Sequence, residues 1–178
     1  MKFYQYITEK KWMKGTMLGF TINPKDIKRI SDYIESWLIR HKIKYDKPDH
    51  YHFTIAMIPE KYPKDDLVRK LNELKNLDIK FNPKDLQLFQ GLNTPKDYIV
   101  LEYKPNMKFL KSFNEVADEF EVKRFPSIRP HTSLFIIDKN SIDQDMFKDI
   151  KFSMPKLPIL KSKEVGLWNN KFEMETKI

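Results

Sequence analysis

HTSLFII, residues 131–137, repeats the grammar of HFTIAMI, residues 52–58. Each stretch opens with a histidine, places a hydroxyl side chain two positions later and continues as an apolar run. Runs of this length, rich in β-branched and aromatic residues, read as buried strands. Side chains alternate along a strand, so His52 and Thr54 face one way and Phe53 and Ile55 the other. The same rule pairs His131 with Ser133 and sends Thr132 and Leu134 to the opposite face. The chain has four histidines, and two of them stand in this context.

The surroundings of the two stretches repeat as well. GTMLGFTI (15–22) is a glycine-opened strand candidate. In NPKDIKRISDYIESWLIRH, Asn23 is placed to cap a helix and Pro24 to occupy its first position. Ile27, Ile30, Tyr33, Ile34, Trp37 and Leu38 then recur at helical spacing. KIKYDKPDHY reads as a polar connection. After the first histidine strand, residues 63–77 read as an amphipathic helix and 79–91 as extended. The second half follows the same order. DYIVLEY (97–103) is a strand, and residues 107–122 are a helix with Phe109, Leu110, Phe113, Val116, Ala117 and Phe120 on one face. The turn KRFPSIRP leads into HTSLFII, a short helix covers 141–150, and a last extended segment covers 157–168. The first strand starts at residue 15 for the histidine at 52, and at 97 for the histidine at 131. This is a duplication of architecture. The expectation is one α+β domain over residues 1–178, bilobal and pseudo-twofold, with halves near 15–91 and 97–168. Each lobe lends a central histidine strand to a shared cleft.

Composition sets the outer limits. A chain of 178 residues suffices for a real core. With no cysteine, disulfides and thiolate metal sites are excluded. MKFYQYITEKKW lacks the apolar core of a signal peptide, and no apolar run reaches membrane-spanning length. The expected setting is the cytoplasm, without a membrane and without an obligate protein partner. The formal charge is +8 and the pI about 9.4. Its 33 Lys and Arg are spread along the chain, which fits either a lysine-rich solvated surface or a polyanionic ligand.

Two imidazoles facing each other across a pseudo-dyad can serve as general base and general acid on opposite sides of a phosphorus centre. The hydroxyls of Thr54 and Ser133 can hold the non-bridging oxygens. No metal or other cofactor is required. The bland alternative, two satisfied polar residues on a pleat, loses force because both copies sit at equivalent points of the duplication. The pair HFTI and HTSL resembles the His-x-Ser/Thr-apolar signatures of the two-histidine (2H) phosphoesterase superfamily, over roughly residues 15–168. The resemblance implies a duplicated LigT-like fold, with His52 and His131 as the acid–base pair and Thr54 and Ser133 as phosphate ligands. GTMLGF, HFTIAMIPEKYP and FPSIRPHTSL look most like the phage anti-CBASS cyclic-oligonucleotide phosphodiesterases, which implies a cyclic di- or trinucleotide substrate and, for a phage-encoded chain, the host cytoplasm. Alternatives within the fold are RNA 2′,3′-cyclic ends or 2′,5′-oligoadenylate. An alternative outside enzymology is a non-catalytic nucleotide sponge or RNA-binding module. The chain departs from that branch at Met17, where a base-stacking tyrosine is expected. Glu164 and Trp168 fall where the branch has late acidic and aromatic site residues.

Other side chains have two readings each. Arg129 is either a phosphate contact or part of a solvated turn. Lys123 and Arg124 read as surface charge. Tyr6, Trp12, Phe89 and Trp168 lie outside the helical stripes and are candidates for stacking on a base, Phe89 and Trp168 foremost. His50 with His52 has metal-ligand spacing, but no second cluster completes a site, so His50 reads as a loop residue. His41 sits where it can meet the last carbonyls of the first helix.

Overall fold

The computed structural model describes residues 15–91, 94–122, 129–169 and 174–177. Lys123, Arg124, Tyr6 and Trp12 lie outside the described residues. Twelve elements follow in chain order: β1 (Gly15–Ile22), α1 (Pro24–Arg40), β2 (Tyr45–Asp46), β3 (His52–Pro59), α2 (Lys64–Leu74), β4 (Lys80–Gln90), β5 (Lys96–Lys104), α3 (Met107–Glu119), β6 (His131–Asp138), α4 (Gln144–Phe152), β7 (Leu160–Trp168) and β8 (Met174–Lys177).

Local chemistry accounts for the helices. Asn23 accepts from the Lys25 amide at 3.0 Å and Pro24 follows, so α1 starts where its cap allows. Its stripe Ile27, Ile30, Ile34, Trp37 and Leu38 is buried. At the other end the His41 ring meets the Trp37 carbonyl at 2.9 Å and stacks on the Trp37 indole, as its position at a helix terminus suggests. Asn106 caps α3 through the Phe109 amide, and Asp143 caps α4 through two amides. The pattern overran three helices. α2 ends at Leu74 rather than residue 77, and α3 at Glu119, where the chain turns through a positive φ at Glu121. α4 starts at Gln144, because Asp143 is its cap. Two strands went unread. β2 is two residues within the stretch taken as a polar connection, and β8 pairs with β7.

The strands form one antiparallel sheet in the order β2-β6-β5-β4-β7-β1-β3, with β8 on β7. Exchanging β1 with β5, β3 with β6 and β4 with β7 maps the six central strands onto themselves in reverse, so the duplication is written into the topology. The two three-stranded ladders are nevertheless not the sequence halves. β4 pairs with β5 and β7 with β1, so each half gives its third strand to the other. The short link from Gly91 to Lys96 makes β4–β5 a hairpin and accounts for the exchange. One core runs through both halves, including Phe20 and Phe53 from the first and Leu101 and Phe135 from the second. The histidine strands lie at the far reaches of the ladder, yet β3 and β6 approach each other closely, because the sheet curls.

Two bulges mark the same point in each histidine strand. Leu18 pairs with Ala56 and Gly19 with Thr54, leaving Ile55 extra. Ile99 pairs with Phe135 and Val100 with Ser133, leaving Leu134 extra. Each bulge comes three residues after its histidine. Bulges re-aim side chains and bend strands, and they are common beside functional sites. They also explain why Ile55–Ala56 and Leu134–Phe135 are buried as adjacent pairs.

Candidate active site

His52 and Thr54 are half-buried on one face of β3, with Phe53 and Ile55 buried on the other. His131 and Ser133 hold the same relation to Thr132 and Leu134 in β6. Both imidazoles are anchored alike. His52 Nδ1 lies 3.2 Å from the His50 carbonyl, and His131 Nδ1 lies 2.9 Å from the Arg129 carbonyl. A carbonyl only accepts, so in the neutral ring Nδ1 carries the proton and donates it. Nε2 is left as the basic atom of each ring. His50, an exposed loop residue, thus serves through its backbone. Among the described residues, no three His, Cys, Asp or Glu side chains gather as a metal-binding group.

Each ring also meets an aromatic from the exchanged third strand. Trp168 of β7 lies 5.0 Å from His52, and Phe89 of β4 lies 5.0 Å from His131, centroid to centroid. The register makes them counterparts, since Trp168 pairs with Met17 and Phe89 with Tyr98. They differ in exposure. Phe89 is half-buried. Trp168 is 0% exposed, with its indole over Gly19 and Gly166. As placed, it is therefore a wall behind His52 and not an open stacking platform. Met17, at 2% exposure, is equally enclosed and accepts from Thr54 Oγ1 at 3.1 Å. A Cβ on Gly19 would sit 2.5 Å from the Phe53 carbonyl oxygen and 3.3 Å from the indole. Gly19→Ala should accordingly cost about 1–3 kcal/mol by overpacking, read as a lower midpoint in thermal unfolding; an unchanged midpoint would show that the strand shifts freely.

The electrostatics of the two histidines differ. Burial pushes the His52 pKa down to about 4; the His50 carbonyl opposes this, while His131 and His50 add to it. Burial also lowers His131, with the Arg129 carbonyl opposing, the Arg129 charge assisting and Glu102 opposing. Glu102 stands opposite His131 in the β5–β6 register, where Thr21 stands opposite His52. Its carboxylate is buried and accepts from Arg129 Nε at 2.9 Å, Arg129 Nη2 at 2.5 Å and Lys84 Nζ at 2.7 Å. Burial disfavours its charge, but these donors hold its pKa below the ordinary value. Arg129 is thus neither a solvated turn residue nor an uncommitted charge: its guanidinium grips Glu102 and also lies 4.9 Å over the Phe89 ring. Glu164 meets Thr21, the residue opposite His52, through its backbone. Its main chain exchanges hydrogen bonds with the Thr21 hydroxyl at 3.3 and 3.1 Å, and its carboxylate lies 3.6 Å from Lys163.

Pattern reading missed Glu102, Thr21 and the Gly19–Gly166 pair. Glu102 did leave a signal, because a lone acid inside the apolar run YIVLEY demands a buried partner. No protein-family profile matches the sequence, and no curated protein matches it. Solved structures do match. Kluyveromyces marxianus Usb1 superposes with a TM-score of 0.57 at 8% identity, over 94% of this chain and 98% of that one. Escherichia coli LigT complexed with 3′-AMP gives 0.56 at 12% identity, over 86% of each chain. TT0787 of Thermus thermophilus gives 0.54 at 14% identity, over 92% of this chain and 96% of that one. With its exchanged third strands and paired histidine strands, the chain has the LigT-like fold of the 2H phosphoesterases.

Proposed function

We propose that the protein is a metal-independent phosphodiesterase acting on nucleotide phosphodiester bonds, with His52 and His131 as its acid–base pair. The observation that carries this reading is the matched anchoring of the two imidazoles, each held at Nδ1 by the carbonyl two residues upstream, which puts the lone pair of the neutral ring on Nε2. Neighbours with this fold have been solved with 3′-AMP and with uridine monophosphate, which supports a nucleotide ligand. In the reaction, one neutral Nε2 takes the proton of a ribose 2′-hydroxyl or of a water. The oxygen attacks phosphorus, and the P–O5′ bond breaks. The departing 5′-oxygen takes its proton from the other histidine, held as imidazolium. Thr54 and Ser133 donate to the phosphoryl oxygens as negative charge accumulates.

The sequence resemblance favours cyclic di- and trinucleotides as substrates. The enclosure of Trp168 and Met17 favours a second reading, a linear strand such as an RNA end, because two open base platforms suited to a compact cyclic dinucleotide are not offered by those residues. A panel of cyclic di- and trinucleotides, 2′,5′-oligoadenylate and RNA with a 2′,3′-cyclic end, incubated in EDTA and followed by mass spectrometry, tests both. Cleavage should persist in EDTA. Activity lost to the chelator and restored by a divalent ion would sink the metal-independent mechanism, while binding without turnover would leave a sponge.

A further inference from the structure

The sheet face that carries the histidines can be followed across the ladder to the β4–β7 crossing. From the first lobe, Phe20 and Val165 pair on the core face, as do Ile22 and Ser162, and Leu160 shares that face and pairs with Phe81. Phe81 stacks on Phe53, the residue between His52 and Thr54 that points away from them. Lys161 and Lys80, each next to one of these core residues, therefore lie on the histidine face. From the second lobe the same result follows. His131 pairs with Glu102, Lys104 is two residues along the same face, and Lys104 lies beside Asn82, two residues after Lys80.

Lys80 and Lys161 stand directly opposite each other, both exposed. Like charges in directly opposed positions destabilise a sheet. Another like-charge opposition in the sheet, Asp85 with Glu102, is neutralised by Lys151, Lys84 and Arg129. Many of the remaining lysines, such as Lys47, Lys70 and Lys96, also hold carboxylates. Among the described residues, no carboxylate lies within ion-pair distance of Lys80, Lys161 or Lys104. The face thus collects three cations around the pseudo-dyad and leaves them unmatched. Along the sheet they lie on the order of 8–16 Å from the nearer histidine: Lys104 one strand over and two residues along from His131, Lys80 two strands over and four along from His131, and Lys161 two strands over and about two along from His52. That is beyond the phosphate that Thr54 and Ser133 would hold, and within reach of neighbouring phosphates on one continuous strand.

We propose that Lys80, Lys161 and Lys104 form a second phosphate-binding locus, which holds a linear single-stranded oligonucleotide by phosphates flanking the one between the histidines. The proposal rests on the linear-strand reading above. Its test is a binding measurement, so failure of turnover leaves it decidable. Fluorescence anisotropy with a labelled hexadeoxynucleotide compares the wild type, Lys80→Gln/Lys161→Gln and a control, Lys25→Gln/Lys75→Gln, which removes two exposed charges on other elements. The first variant should bind about tenfold more weakly, with a shallower salt dependence, while the control stays near wild type. Affinity for 3′-AMP should be unchanged in both. Equal weakening in the control would reduce the locus to general surface charge. Loss of 3′-AMP binding in the first variant would place the lysines at the central phosphate. Either result, or undiminished hexamer affinity, overturns the proposal.

Discussion

His131→Ala should lower kcat of the proposed phosphodiester cleavage by about 10²–10⁴-fold, and His52→Ala should do the same. The double variant should be little worse than either single one, since groups that act as a unit are not additive. Both rings are only half-buried, so circular dichroism and thermal unfolding should show folded protein. Near-wild-type turnover in either single variant would remove that residue from the pair. The pH dependence follows from the two environments. A histidine acting as base must be neutral, so activity rises with pH through its pKa. One acting as acid must be protonated, so activity falls with pH through its pKa. With His52 near 4 and His131 also below the ordinary imidazole value, kcat/KM should be bell-shaped with its maximum on the acid side of neutrality. A plateau through pH 8 would contradict this assignment.

The sequence made the duplication legible because strand alternation and helical periodicity are local. His-x-Thr and His-x-Ser state their own facing, and the amphipathic stripe of α1 states its buried side. The exchange of third strands was not legible. Nothing in QLFQG or EVGLW says which hairpin each will join, since pairing is decided by sheet curvature and by the length of the links. For the same reason Phe89 and Trp168 were recognised as aromatics free of helical stripes while their different fates were not. Whether a ring is a platform or a wall depends on Gly19 and Gly166, which clear space for the Trp168 indole from two other sequence segments. The bulges at Ile55 and Leu134 were hidden too, because an extra residue in an apolar run looks like one more core position.

Glu102→Gln should move the alkaline limb of the kcat/KM profile to lower pH and reduce activity at neutral pH. The charges around His131 set this shift. Glu102 lies opposite it in β5 and favours its protonated form, Arg129 precedes it in the chain and disfavours that form, Lys84 of β4 reaches Glu102, and His52 approaches from β3. Neutralising Glu102 removes the anion that favours the proton on His131 and leaves the Arg129 charge that disfavours it, so the imidazolium becomes harder to form. Removing one partner of this largely buried pair should also cost on the order of 3 kcal/mol of stability, visible as a lower unfolding midpoint. The double variant Glu102→Gln/Arg129→Gln separates the two effects. It deletes opposing influences on His131 together, so the limb should return toward its wild-type position, and much of the lost stability should return with it. A purely structural role for Glu102 predicts something else: stability falls in the single variant while the limb stays in place. That outcome would leave the pseudo-twofold histidines electrostatically equivalent. The expected one makes Glu102 and Arg129 the residues that tell His131 apart from His52, with the carboxylate favouring the proton on His131 and Thr21, its neutral counterpart, giving His52 no such support.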